Sequence, residues 1–309
     1  MKIVFMGTPD FARESLSKLY DAGYEILAVV TPPDRPKGRG MKMIACEVKE
    51  FAIEKEIPVF QPNKLSEIKE DIINMNPDLI VVVSYGKILP KSILEIPKLG
   101  CINVHPSLLP KYRGSAPIQW AIINGDKVTG TTIMEMNDKM DAGDIILQEE
   151  VDILDNETTG ELWDRLSKIS SKLLVEAVKK VENGTVEYKK QPEEYTLAPM
   201  ITKDMAKIDW TTQTSRQLKN LIRGLNPILG AYSNLGQKKI KFWKVDCVKE
   251  IVDENQEPGT IILSDSKRGL YVKTLDGAIT VLEIQGENAR RMNINEFLRG
   301  NKLEVRTKI

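Results

Sequence analysis

A chain of 309 residues is long enough for two domains, each with its own core. With 41% hydrophobic and 28% charged residues it is neither disordered nor fibrous, and the brief apolar start of MKIVFMGTPDFA is too short for a secretory signal or a membrane anchor. The net charge of zero conceals a segregation: residues 1–205 hold 26 basic and 32 acidic residues, whereas residues 206–309 hold 18 and 12, so a net −6 region precedes a net +6 one. Such asymmetry is the footprint of a module that meets a polyanion, and inert surfaces show it as well. Cys46, Cys101 and Cys247 lack CxxC spacing, which argues against a disulfide framework or a cysteine zinc site and for reduced thiols in a cytosol.

Along the first 150 residues, short Val- and Ile-rich runs alternate with amphipathic stretches, the pattern of parallel βαβ units. KIVFM (2–6), EILAVV (25–30), DLIVVV (78–83) and CINV (101–104) are predicted strands, and TTIMEM (131–136) is another. Residues 11–21, 45–55 and 65–75 have apolar positions at helical spacing. The expected fold class is α/β, a doubly wound, mostly parallel, Rossmann-type sheet. A charged helix is predicted over 157–182, burying Leu162, Leu166, Ile169, Leu173 and Leu174 and ending before Gly184. VEYKKQPEEYTLAPM (186–200) has two prolines and no helical period, as a linker would. Domains are therefore expected at 1–188 and 206–309, with a linker at 189–205. In the second, Ser215–Leu225 predicts a helix, and KKIKFWKVDCV, GTIIL, GLYVKT and AITVLEIQ predict strands of a small OB-like β-barrel. Asp276-Gly277 is a hairpin-turn pair, on the ground that glycine tolerates positive φ.

Chemistry-bearing residues are few. His105 is the single histidine and follows the strand CINV, where open α/β folds place their sites; the alternative is a structural imidazole. Asn103, two residues earlier, shares its face of the strand, and an amide beside an imidazole can polarise a carbonyl oxygen. KMDAGDII supplies Asp141 and Asp144. An acid near an imidazole can orient it or accept a proton from an attacking amine; the same tetrapeptide also reads as a polar turn. Ser107 and Ser115 occupy no GxSxG elbow, and one histidine with two aspartates is a poor metal set, so no metal is expected. GTPDFA has one glycine where a dinucleotide fingerprint needs three. The loop TPPDRPKGRGMKM (31–43), with Arg35, Lys37, Arg39 and Lys42, reads equally as a solvated loop or an anion contact. Phe242 and Trp243 are expected in a core.

FMGTPDFA, PPDRPKGRG, VVSYGKILP, GCINVHPSLLPKYRGSAPIQWAI, GTTIMEMNDKMDAGDII, KIDW and Asn226-Pro227 together resemble, in order and spacing, the formyltransferase family that uses 10-formyltetrahydrofolate. The resemblance spans essentially the whole chain, and NVHPSLLPKYRGSAP with MDAGD is its most specific part. It implies catalytic roles for Asn103, His105 and Asp141 and folate contacts at Ser107, Leu108, Leu109 and Pro110, with Tyr85, Gly86 and Leu89 lining the pterin pocket. It further implies that 10-formyltetrahydrofolate is the formyl donor and that the acceptor is the α-amino group of initiator methionyl-tRNA, reached through Arg39, Lys42 and Lys207. No metal or membrane partner is implied. A cytoplasmic monomer serving translation initiation is expected, and an N-terminus without transit-peptide character fits it. Pro106 stands where some relatives have glycine and should fix the loop, while GENARRM (286–292) is a modified basic segment. Relatives acting on glycinamide ribonucleotide resemble only about the first 200 residues. A small-metabolite formyltransferase or hydrolase would share the trio without salt-dependent tRNA binding, and a noncatalytic RNA-binding protein would tolerate loss of His105.

Overall fold

The computed structural model describes residues 1–37, 42–248 and 255–309. They form two compact units: residues 1–117, 128–152 and 163–199 make the first, and residues 118–127, 153–162 and 200–309 the second.

The first unit is built on a seven-stranded sheet. Its strands are β1 (Lys2–Gly7), β2 (Glu25–Val30), β5 (Val59–Phe60), β6 (Leu79–Val83), β7 (Cys101–His105), β8 (Val128–Glu135) and β9 (Ile145–Asp152), in the order β5-β2-β1-β6-β7-β8-β9. The first five run parallel, while β8 and β9 are antiparallel. β3 (Arg35–Lys37) and β4 (Lys42–Ile44) form a separate antiparallel ribbon. The central strands are continuous β-branched and aromatic runs because both faces are covered: Ile3, Val4, Phe5 and Met6 on β1 and Leu79 to Val83 on β6 are all buried. α1 (Asp10–Asp21) packs Phe11, Ala12, Leu16 and Leu19, a stripe at helical spacing. α2 (Glu47–Glu54), α3 (Lys69–Met75) and α4 (Lys91–Leu94) follow the strands, while α5 (Pro117–Ile123) has all but its first residue in the second unit. α6 (Thr159–Glu182) buries Leu166, Leu173, Leu174, Ala177 and Val178, with Ile169 half-buried. It ends as expected, with Gly184 at φ 65° and the Thr185 amide bonded back to Lys180.

Residues 189–199 are not free chain. Lys189 exchanges two main-chain hydrogen bonds with Ile145, Arg113 N donates to Thr196 O, and Ala198 N donates to Arg113 O.

The second unit carries a six-stranded antiparallel sheet of β10 (Ala231–Leu235), β11 (Lys238–Val248), β12 (Ile261–Asp265), β13 (Gly269–Lys273), β14 (Ala278–Gln285) and β15 (Met292–Asn293), with α7 (Ser215–Gly224) and α8 (Ile294–Gly300). The path is β10-β11-β14-β13-β12, with β15 on β14. Its core includes Ile208, Trp210, Leu218, Phe242, Val272 and Val281, which places Phe242 as expected. The KIDW motif is an anchor: Ile208 and Trp210 are buried, and Trp210 Nε1 donates to Ser233 Oγ at 3.0 Å. Asp276 and Gly277 do join β13 to β14, but Gly277 is not in the left-handed region; the turn is held by Asp276 Oδ1, which accepts from Ser215 N at 2.7 Å. The positive-φ hairpin glycine is Gly236 (58°), between β10 and β11, a turn the sequence reading missed. Among the described residues no helix is long and apolar enough to cross a membrane.

Candidate active site

β6 and β7 lie side by side and parallel, so the loops after Val83 and after His105 leave the sheet at the same edge, the position at which open α/β folds bind ligands. β8 runs back beside β7, pairing His105 with Thr132 and Asn103 with Met134. Asn103 and His105 share one face of β7 by the two-residue period of a strand.

His105 is 4% exposed. Its Nε2 lies 2.9 Å from Tyr112 O, and because a carbonyl can only accept, Nε2 carries the proton and donates. Nδ1 is left facing Asp141 Oδ2 at 3.8 Å, too long for a direct hydrogen bond. Tyr112 itself sits at φ 63°, with its amide donating to Thr196 Oγ1 at 2.8 Å. The Asn103 amide is half-buried and makes no hydrogen bond to the described residues.

Asp141 lies in the loop between β8 and β9 at φ 50°, and its Oδ2 accepts from Gly114 N at 2.9 Å. The loop is drawn tightly against β8: a Cβ at Gly143 would stand 1.6 Å from Glu135 O, so only glycine fits there. Gln191 Nε2 donates to Asp141 O (3.0 Å) and Gly143 O (2.8 Å). Asp144 turns elsewhere. Partial burial of the phenol first, and then the Glu135 and Asp144 charges, push the Tyr188 hydroxyl above its usual value, although the residue as a whole is exposed. Burial first, and then the Asp144 charge, raises the Glu135 carboxyl as well.

The segment after His105 is closed by internal bonds. Ser107 N donates to His105 O at 2.9 Å, spanning Pro106, which accords with that residue fixing the loop. Ser107 Oγ donates to Lys111 O (2.6 Å). Thr132 Oγ1 donates to Ser107 O (2.6 Å) and accepts from Leu109 N (3.1 Å), while Gln148 Nε2 donates to Leu109 O (2.9 Å). Leu108 O and Pro110 O accept from Lys111 N and Thr196 N. Residues 107–110 thus offer a fixed shape with their carbonyls already engaged. The other candidate stretch is the reverse: the main chain of residues 86–89 makes no hydrogen bond to the described residues. Tyr85 and Leu89 are buried in the core beneath it, and Tyr85 Oη finds no partner among the described residues. Burial pushes the Tyr85 phenol up to about 12.

Of the basic candidates, Arg39 lies outside the described residues, Lys42 opens β4, and Lys207 is exposed in the second unit, where it bridges to Tyr232. In GENARRM, Arg290 and Arg291 pair with Glu296 and Glu283. No cluster of His, Cys, Asp and Glu with metal-ligand geometry occurs among the described residues. Sequence reasoning missed Tyr112, Gly114, Thr132, Gln148, Gln191 and Thr196, which sit in loops or on β8 and β9 with no periodic pattern to mark them.

Residues 1–178 match the family model described as formyl transferase, and residues 200–302 match that of the formyl transferase C-terminal domain. The methionyl-tRNA formyltransferase of Clostridioides difficile strain 630 is 48% identical over 308 residues, covering 99% of this chain and 98% of that protein. The protein of the same name from Acetivibrio thermocellus is 47% identical over 306 residues, with 98% and 97% covered. Among solved structures, the N-formyltransferase from Helicobacter canadensis in complex with folinic acid and dTDP-3-aminofucose superposes with a TM-score of 0.69 at 19% identity, over 94% of this chain and all of that one. HypX from Aquifex aeolicus in complex with tetrahydrofolic acid has a TM-score of 0.66 at 17% identity; this chain matches over its full length and spans about half (51%) of HypX. These two likenesses concern the fold.

Proposed function

The chain belongs to the formyl transferase family, and from that premise we propose that it moves the formyl group of 10-formyltetrahydrofolate onto the α-amine of initiator methionyl-tRNA in the cytoplasm, with Asn103, His105 and Asp141 around the reacting carbon. The observation that carries the residue assignment is the commitment of the His105 Nε2 proton to Tyr112 O, which leaves Nδ1 beside Asp141, on the strand face it shares with an Asn103 amide that has no partner among the described residues.

In the reaction the amine nitrogen bonds to the formyl carbon, the carbonyl oxygen takes the electron pair as a tetrahedral oxyanion, and collapse breaks the bond to N10 of the folate. The proton lost by the amine ends on N10. Asn103 Nδ2 and protonated His105 Nδ1 donate to the oxyanion, interactions stronger in the transition state than in the substrate. Asp141 stabilises positive charge on the ring and assists proton removal from the amine, directly or through water. Neither a metal nor a covalent enzyme intermediate is required. Holding both substrates supplies much of the remaining acceleration.

Residues 107–110 shape the folate site, and the unengaged main chain of residues 86–89 suits the hydrogen-bonding edge of a pterin. Arg39, Lys42 and Lys207 contact tRNA phosphates, with residues 1–188 as the catalytic domain, 189–205 as the linker and 206–309 as the tRNA-binding domain.

The test is formyl transfer from 10-formyltetrahydrofolate to charged initiator Met-tRNA, beside free methionine, glycinamide ribonucleotide and the variant His105→Ala. Formylation of Met-tRNA alone, lost in the variant, is expected. Transfer to a small amine would overturn the acceptor, and an active variant would overturn the role of His105.

A further inference from the structure

The geometry points to Gln191 as the positioning residue that holds the Asp141 carboxylate against His105, an inference that rests on the role proposed for Asp141. Asp141 is placed by an exposed loop, with its neighbour Met140 59% exposed, and it adopts a left-handed φ that a residue with a side chain keeps only under restraint. Gln191 supplies that restraint from 50 residues away in sequence. Its Nε2 donates to the carbonyls on both sides of Ala142, those of Asp141 (3.0 Å) and Gly143 (2.8 Å). Its Oε1 accepts from Arg113 Nη2 (2.7 Å) and Nε (3.1 Å), and the Arg113 guanidinium lies over the Tyr195 ring, 4.5 Å from its centre.

The amide orientation is forced. Reversed, it would set Oε1 against two carbonyls and its N–H groups against a guanidinium, so every bond would become a repulsion. One side chain therefore ties the Asp141 loop to the Tyr112–Gly114 stretch. That stretch supplies both the carbonyl that fixes the His105 ring and the amide that holds Asp141 Oδ2. Without the tie the Gly114 N–Asp141 Oδ2 bond is left to join the two loops, and the 3.8 Å between carboxylate and imidazole is less firmly set.

Two substitutions divide the contacts. Gln191→Glu keeps a partner for Arg113 but presents a carboxylate to two carbonyls, and Gln191→Met keeps the length and removes every polar contact. In the full chain both should lower kcat for Met-tRNA formylation about tenfold to a hundredfold, as a misplaced catalytic group does, with KM for tRNA and folate unchanged. The second readout uses the single histidine: with 15N-labelled histidine, the two imidazole nitrogen signals belong to His105 without further assignment. They should move in the direction seen in Asp141→Asn, measured alongside. If Asp141→Asn is inactive while both Gln191 variants keep kcat, or lose it with unmoved His105 signals, the positioning role is overturned alone. If Asp141→Asn transfers formyl at the parental rate, the assignment of Asp141 falls and the positioning role with it. Should Gln191→Met not fold, Gln191→Glu carries the same readings.

Discussion

Asn103 presents a side-chain amide that no other described residue binds, on the same face of β7 as an imidazole whose second nitrogen is already committed. Because the folded protein makes no use of that amide, Asn103→Ala should leave thermal unfolding nearly unchanged while single-turnover formylation falls about a hundredfold or more, the usual loss for one oxyanion donor. A variant with parental rates would remove Asn103 from the chemistry. Gly143 predicts the opposite pattern: any Cβ there meets Glu135 O, so Gly143→Ala must move the Asp141 loop and should reduce kcat even though its own side chain touches no substrate. Asn103 and His105 were legible in the sequence because a lone histidine after a buried strand, with an amide two positions earlier, is a local pattern. Gln191 was not legible. Its partners lie 48 to 78 residues away, and a glutamine between Lys190 and Pro192 carries no period that would mark it.

Elements differ in the same way. β1, β6 and β7 could be read directly because strands buried on both faces are continuous apolar runs. β9 was missed because it lies at the edge of the sheet and exposes Glu149 and Glu150, so its pattern is broken where only one neighbour covers it. Within β8, Glu135 has a carboxyl raised by burial and then by Asp144, and so holds its proton more readily folded than unfolded. Its ionisation therefore removes stability as pH rises from the ordinary glutamate value of 4.5 through the folded one. Glu135→Gln should raise the melting temperature at neutral pH and have no such effect below the ordinary glutamate range; an equal gain at both would refute this account. In α7, Thr214 accepts from Gln217 N at 3.2 Å while the Gln217 side chain accepts from Thr214 N at 2.9 Å, a reciprocal cap. Thr214→Ala should cost about 1 kcal/mol in urea unfolding of the second unit.

For the molecule as a whole, the segregation of a net −6 region from a net +6 region is the property that sequence alone established. If the basic third engages tRNA phosphates, KM for Met-tRNA should rise log-linearly with KCl while KM for the folate moves far less, since counterion release scales with the number of phosphates neutralised. A salt-independent tRNA KM would dismiss the charge asymmetry as an inert surface. The buried Tyr85 hydroxyl, with no partner among the described residues, has a consequence for anyone trying to improve this enzyme. A buried donor with no protein partner costs the fold about 1–3 kcal/mol, so Tyr85→Phe should melt higher than the parent. A ligand able to reach that hydroxyl with an acceptor would regain the same free energy on binding, and the substitution would forfeit it. If Tyr85 lines the folate site as proposed, a selection for heat resistance alone would favour phenylalanine at position 85 and enrich, round after round, for chains that hold their folate less tightly.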